Sequence, residues 1–119
     1  MCVPISNLVE CINFTEEEIK KLGLKAPMVG HVGDGNFHAI IGYDPNKDGE
    51  YEKIKTLSNK LIDKTLELEG TITGEHGIGL HKKAYLLKEH GDNIPLMKSI
   101  KRSIDQNNIM NPGKIFDLN

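Results

Sequence analysis

The chain has 119 residues, a formal net charge of −2, 38 % apolar residues and 27 % charged residues. This length suits one domain of a globular protein, and the absence of a cluster of lysines and arginines gives no indication of nucleic-acid binding. No apolar run approaches the roughly 20 residues of a membrane helix, and the first residues lack the pattern of a secretory signal. We therefore expect a cytosolic or organellar protein whose two cysteines, Cys2 and Cys11, are free thiols.

The chain opens with a strand pattern followed by a helix pattern. Residues 3–5 are predicted to be extended. A helix should follow and end before Gly23, because Asn7 precedes an apolar periodic segment and glycine is a common helix end. Thr15 is a second candidate capping residue in the middle of this segment, and it suggests a break in the helix near Asn13 and Phe14.

A hairpin is predicted next. Residues 27–32 and 36–43 are typical of strands, and Asp34-Gly35 between them is a strong signal for a two-residue turn. With such a turn, His31 would pair directly with His38. Directly opposed residues point to the same face with their Cβ atoms about 5 Å apart, so the two imidazoles could share a metal ion. A longer loop would change this pairing.

A second helix and strand complete the pattern. Residues 51–69 have apolar residues at helical spacing, and residues 71–73 are β-branched and run into the loop of residues 74–79. The order is strand, helix, strand, strand, helix, strand. It predicts an α+β protein with the ferredoxin-like split βαβ fold (βαββαβ), an antiparallel four-stranded sheet with both helices on one face.

The C-terminal residues are predicted to form a helical extension. Residues 1–79 would then make the ferredoxin-like part and residues 80–119 the extension. One helix is expected over residues 82–89. Another should begin near Asn93, with Pro95 in its first turn.

The residues best suited to chemistry lie in the hairpin and in the second glycine loop. His31 and His38 suit Zn, Mn, Fe or Ni, but two imidazoles rarely complete a site. A carboxylate is the usual third ligand, with Glu75 as the best candidate and Asp34 as the second choice. His76 suits a general base, because imidazole titrates near neutral pH. The alternatives are a solvated pair of histidines in the hairpin and an ordinary loop histidine.

Three segments resemble the signatures of one protein family. They are GHVGDGNFH at residues 30–38, GTITGEHGIG at residues 70–79 and IMNPGKIF at residues 109–116. Together they resemble the FAD-linked oxidases of the D-lactate and D-2-hydroxyglutarate dehydrogenase type. CVPISNL at residues 2–8 also resembles the beginning of that family's second cap half-domain, so the resemblance covers nearly the whole chain.

The resemblance implies cofactors and residue roles. It implies that His31, His38 and Glu75 hold a divalent metal, Zn or Mn, that His76 is the catalytic base, and that Asn111 lies near the flavin. The family's substrate domain is a duplicated ferredoxin-like domain, and this chain resembles its second half with the C-terminal tail. FAD would be held by a separate flavin-binding domain that we expect to be absent from these residues.

The function implied by the resemblance is that of the substrate- and metal-binding part of a flavin-dependent D-2-hydroxy acid dehydrogenase. D-lactate, oxidised to pyruvate, is the expected substrate because Ile40 stands where relatives acting on dicarboxylic acids often have Asn. We expect a cytoplasmic or mitochondrial protein that is inactive without a flavin domain or companion chain, with an uncovered apolar surface that favours homo-oligomers. The alternatives are a stand-alone metal-binding module and a structural remnant without redox activity.

Overall fold

The computed structural model describes residues 1–118, and these form an α+β protein, as predicted. The helices and strands are α1 (Ile5–Leu22), β1 (Met28–His31), β2 (Asn36–Ala39), α2 (Glu50–Glu67), α3 (Lys83–His90) and α4 (Ile94–Ile104). The chain separates into two compact units, a first unit of Met1–Gly74 and a second unit that begins at Glu75. Across residues 1–118, no helix combines the length and apolar character needed to cross a membrane.

Helix α1 is continuous, and the two predicted capping positions are wrong. The N-cap is Pro4, so Asn7 and Thr15 both lie inside the helix. Proline fits just before or at the start of a helix because its fixed φ is compatible with the first turn and its missing N–H is not needed there. The Thr15 hydroxyl instead donates to the Cys11 carbonyl at 2.7 Å. Gly23 ends the helix at φ 65°, as the sequence predicts.

Helices α1 and α2 pack through an apolar contact, and a buried carboxylate beside it pairs with two partly exposed lysines. Glu18 of α1 is buried, and its carboxylate accepts hydrogen bonds from Lys21 at 2.7 Å and from Lys60 of α2 at 2.6 Å. The hydrogen bond from Lys21 has the largest effect and the bond from Lys60 the next, and together they hold the pKa of Glu18 below its usual value of 4.5. Burial alone would raise this pKa. The buried apolar side chains at this contact are Ile19, Leu57 and Leu61.

The first residues of the chain lie between the hairpin and the segment that follows α2. Val3 donates its backbone N–H to the Gly35 carbonyl at 3.0 Å, while Cys2 exchanges two backbone hydrogen bonds with Thr71 at 3.0 and 2.7 Å. Cys2 forms an antiparallel bridge with Asn36 on one side and with Thr71 on the other. The N-terminal segment therefore connects the two parts of the chain that carry the glycine motifs.

The regular sheet is smaller than predicted. Strands β1 and β2 form a two-stranded antiparallel sheet, whereas Cys2 and Thr71 contribute isolated bridges only. Pro4 cannot donate to a strand neighbour and α1 begins immediately after it, which limits the first extended piece. Strand β2 ends at Ala39, so residues 40–43 are not part of it.

A second apolar cluster joins the N-terminal segment, α1, β2 and the end of α2. Its buried members are Val3, Leu8, Cys11, Phe37 and Leu68. Cys11 and the half-buried Cys2 are both free thiols, as predicted. Burial raises the pKa of the Cys11 thiol, which keeps it protonated and unreactive at neutral pH.

Replacing Glu18 should change stability in a pH-dependent way. A carboxylate with a lowered pKa in the folded state stabilises the fold above its unfolded pKa, and this contribution is lost as the pH falls through the folded value. Glu18→Gln should therefore lower the free energy of unfolding at pH 7 and have a much smaller effect near pH 3. Urea unfolding at both pH values measures this, with the exposed Glu16→Gln as the control. An equal loss at both pH values would contradict the role given to the ion pair.

Two glycines of the hairpin turn should respond differently to alanine. Gly35 has φ 69°, and a Cβ on it would lie 2.0 Å from the Val3 carbonyl oxygen, whereas a Cβ on Gly33 would meet nothing within 4 Å. Gly35→Ala should cost more than about 1 kcal/mol of unfolding free energy, while Gly33→Ala should change it by less than about 1 kcal/mol. Urea unfolding of both variants tests this, and equal effects would exclude the close contact with Val3.

Candidate functional site

The histidine hairpin has a longer turn than predicted. A 3-10 turn closed by Gly35, with φ 69°, joins the two strands. His31 therefore pairs with Asn36, and Val29 pairs with His38. The predicted direct pairing of His31 with His38 is wrong, because the turn contains more than the two residues that the Asp-Gly signal indicated.

The observed register still places the two histidines on one face of the hairpin. Side chains alternate along a strand and directly opposed residues share a face, so His31, Asn36 and His38 lie on the same side. His31 and His38 are diagonal neighbours, for which Cβ atoms are typically about 7 Å apart. His31 is exposed and His38 is half-buried. The observed register places them further apart than the predicted direct pairing would, so a metal ion shared by His31 and His38 stays a prediction.

The first unit ends next to the histidine face. A Cβ on Gly74 would lie 2.5 Å from the side-chain oxygen of Asn36, so a larger residue at this position would require the Asn36 side chain to shift. Asn36 is buried and is two residues from His38 along β2.

The loop that opens the second unit carries an adjacent carboxylate and imidazole. A carboxylate oxygen of Glu75 and a ring nitrogen of His76 lie within 4.8 Å of each other. Both residues are exposed. Gly77 and Gly79 follow with φ 71° and 54°, so the loop uses the left-handed conformation that glycine adopts without strain. This pair offers a metal ligand and either a second ligand or a base.

Asn111 lies in a turn that the C-terminal end of α4 supports. The buried carboxylate of Asp105 accepts backbone N–H groups from Ile109 at 3.0 Å and Met110 at 2.9 Å. Lys101 pairs with the same carboxylate, and its hydrogen bond is the main reason that the pKa of Asp105 lies below the usual value. Asn111 is exposed at φ 48°, a conformation that asparagine tolerates better than most residues.

The C-terminal tail folds back onto the glycine loop of the same unit. Ile115 donates its backbone N–H to the Gly79 carbonyl at 2.8 Å, and Lys83 of α3 bonds to Asp117 at 2.7 Å. The tail encloses a groove of about 230 Å³ that Asn111 helps to line.

Comparison with known proteins identifies the family. Residues 1–115 match the family described as FAD linked oxidases, C-terminal domain. The chain belongs to this family. The membership confirms the resemblance that the three glycine-containing segments indicated.

The similar curated proteins are much longer than this chain. A probable mitochondrial D-lactate dehydrogenase of Danio rerio is 44 % identical over 119 residues, which cover 99 % of this chain and 24 % of the relative. A mitochondrial D-lactate dehydrogenase (cytochrome) of Arabidopsis thaliana is 40 % identical over 98 % of this chain and 21 % of its own length. Glycolate oxidase subunit GlcD of Bacillus subtilis is 39 % identical over 94 % of this chain and 23 % of its own. The chain thus spans about a quarter or less of each relative.

Asp105 is a structural residue of this region that the sequence reasoning missed. An available signal was its position at the end of an amphipathic helix, where a negative charge is unfavourable next to the helix dipole unless it has partners. The polar residues 106–108 that follow indicate a turn, but not the bonds that stabilise it.

Removing the Asp105 carboxylate should loosen the turn before Asn111. Asp105→Ala should raise the amide hydrogen-exchange rates of Ile109 and Met110 by roughly tenfold, because both N–H groups lose a charged acceptor. Asp105→Asn should have a smaller effect, since it keeps one acceptor oxygen. Exchange followed by mass spectrometry measures both variants, with the exposed Asp92→Ala as the control. Unchanged exchange in Asp105→Ala would exclude this role.

Proposed function

We propose that this chain is the substrate- and metal-binding part of an FAD-dependent D-2-hydroxy acid dehydrogenase that oxidises D-lactate to pyruvate. The observation that carries the proposal is the family membership, together with relatives named D-lactate dehydrogenases that are 40–44 % identical over nearly the whole chain. The activity is that of the complete protein, and the isolated chain is inactive. Glycolate is the second candidate substrate, because other relatives are named glycolate oxidase subunits.

We propose a ferredoxin-like topology for residues 1–79, with residues 80–119 as a helical extension. The order Thr71, Cys2, β2, β1 supports this topology, because each neighbouring pair in it is antiparallel. Helices α1 and α2 lie in the two long connections between these pieces. This is the arrangement of a split βαβ sheet whose first and last strands are each reduced to a single bridge.

We propose that His31, His38 and Glu75 hold a divalent metal ion, Zn or Mn. The two histidines share one hairpin face, and the first unit ends beside that face one residue before Glu75. Two neutral imidazoles and one carboxylate suit either metal and leave an open position for substrate. His76 is the alternative third ligand, because it lies close to Glu75 and because the register separates His31 from His38.

We propose that His76 accepts the proton of the substrate hydroxyl at a ring nitrogen. Imidazole suits this transfer near neutral pH, and the exposed position of His76 gives a small substrate access to it. When bound, the metal supplies a Lewis acid for the hydroxyl and the flavin supplies the electron acceptor. Asn111 would present its side-chain amide towards the flavin, and the flavin-binding domain of the complete protein would hold the cofactor itself.

The proposed partners are a small 2-hydroxy acid and a flavin-binding domain or companion chain, with homo-oligomers as a further possibility and no nucleic acid. The proposed location is the mitochondrion, with the cytoplasm as the alternative, because several of the similar proteins are named as mitochondrial.

Substitutions in the complete enzyme should separate ligands from base. His38→Ala and Glu75→Gln should lose metal, because an amide and a methyl group are poor ligands for a divalent ion. His76→Ala should keep the metal and lose turnover by roughly 10²–10⁴-fold, the range for general acid–base catalysis. Metal analysis and flavin reduction by D-lactate measure the two properties, and the exposed His81→Ala is the control that should retain both.

His31→Ala decides between the two ligand sets. If His31 is the third ligand, this variant loses metal. If His31→Ala keeps the metal and His76→Ala loses it, then His76 is a ligand and the base must be assigned elsewhere. If none of the four variants changes metal content or flavin reduction, the proposed site is wrong.

A further inference from the structure

Helix α4 presents an exposed apolar stripe. None of its residues is buried, and Leu96, Ile100 and Ile104 are 62 %, 53 % and 73 % exposed. These three residues follow one another at intervals of four, so they lie on one side of the helix. Ile109 and Met110, also exposed, follow the helix and precede the Asn111 turn. We call these five residues the α4 face.

The second unit has almost no apolar core of its own. Within residues 75–118, Leu86 and Asp105 are the buried residues, and both buried apolar clusters belong to residues 1–74. An isolated helix of eleven residues is marginal in water, and most helices in proteins gain their stability by packing an apolar side. The α4 face therefore needs a covering surface.

The charges of α4 favour a protein surface over an anionic membrane. The helix has three cationic side chains, at positions 98, 101 and 102. Lys101 bonds to Asp105, and Arg102 donates to the Leu118 carbonyl. Lys101 and Arg102 thus bond within the chain, whereas membrane-surface helices direct their cations to lipid headgroups.

We infer that the α4 face is the surface on which the flavin-binding part of the complete protein packs, an inference that rests on the proposed function. The chain matches 98–99 % of its own length but only 21–24 % of two D-lactate dehydrogenases, so about three quarters of each relative lies outside the match. The family description names the matched part as the C-terminal domain of a larger oxidase. Because Asn111 directly follows Met110, docking at this face would also bring Asn111 to the flavin-binding part.

The test compares the 119-residue chain with the full-length protein that contains it. Hydroxyl-radical labelling followed by mass spectrometry reports the exposure of Leu96, Ile100 and Ile104, and hydrogen exchange reports the α4 amides. In the full-length protein, labelling of the three side chains should fall close to background and amide exchange should slow by roughly tenfold or more. In the full-length protein, Ile100→Asp should restore fast exchange, whereas the neighbouring exposed Ser99→Asp should not.

Three outcomes would overturn the inference. The first is equal labelling of the α4 face in the isolated chain and in the full-length protein. The second is a dimer of the isolated chain in sedimentation, with labelling that falls as its concentration rises, since a second copy would then cover the face. The third is protection of the full-length protein only when vesicles of phosphatidylcholine and phosphatidylserine are added. None of these measurements uses metal or D-lactate, so a failure here is distinguishable from a failure of the proposed function.

Discussion

The pairing of the first residues with two other parts of the chain is the interaction on which the candidate site depends. Cys2 bonds to Thr71 on one side while Val3 bonds to Gly35 on the other, so the segment after α2 is held next to the hairpin. The backbone of residues 2–3 lies so close to Gly70 and Gly35 that neither position has room for a side chain. A Cβ on Gly70 would lie 2.4 Å from the Cys2 carbonyl oxygen, and one on Gly35 would lie even closer to Val3. The glycines of these two segments are typical of ligand-binding motifs, but they also allow two backbone segments to pack closely.

Each unit contains a buried carboxylate that accepts several hydrogen bonds and so stabilises the local structure. Glu18 accepts lysine bonds and joins α1 to α2, whereas Asp105 combines a lysine with two backbone N–H groups and shapes the turn before Asn111. Two lysines beside Glu18 and one beside Asp105 supply the positive charge that offsets the cost of burying each carboxylate. The units differ in their apolar packing, because the first contains both buried clusters and the second relies on polar bonds and on surfaces that it exposes.

The sequence predicted the long helices better than the contacts between strands. The apolar spacing in α1 and α2 is sustained over five turns, and local periodicity of this kind identifies a helix without tertiary information. The hairpin register could not be predicted in the same way, because it depends on whether Gly35 closes a two-residue turn or a longer one. The role of Asp105 also escaped prediction, because its bonds form only when the chain after α4 turns back. The roles of His31, His38, Glu75 and His76 were inferred from residue type and motif, and they stay predictions.

The central proposal is that two imidazoles and one carboxylate, those of His31, His38 and Glu75, hold one divalent metal ion. X-ray absorption at the metal edge of the full-length protein tests it most directly, because the spectrum reports the type and distance of the coordinating atoms. The account predicts one Zn or Mn ion per chain, with two imidazole nitrogens at about 2.0–2.2 Å and at least one carboxylate oxygen. A metal-free protein, a site with a sulfur ligand, or coordination without imidazole would contradict it.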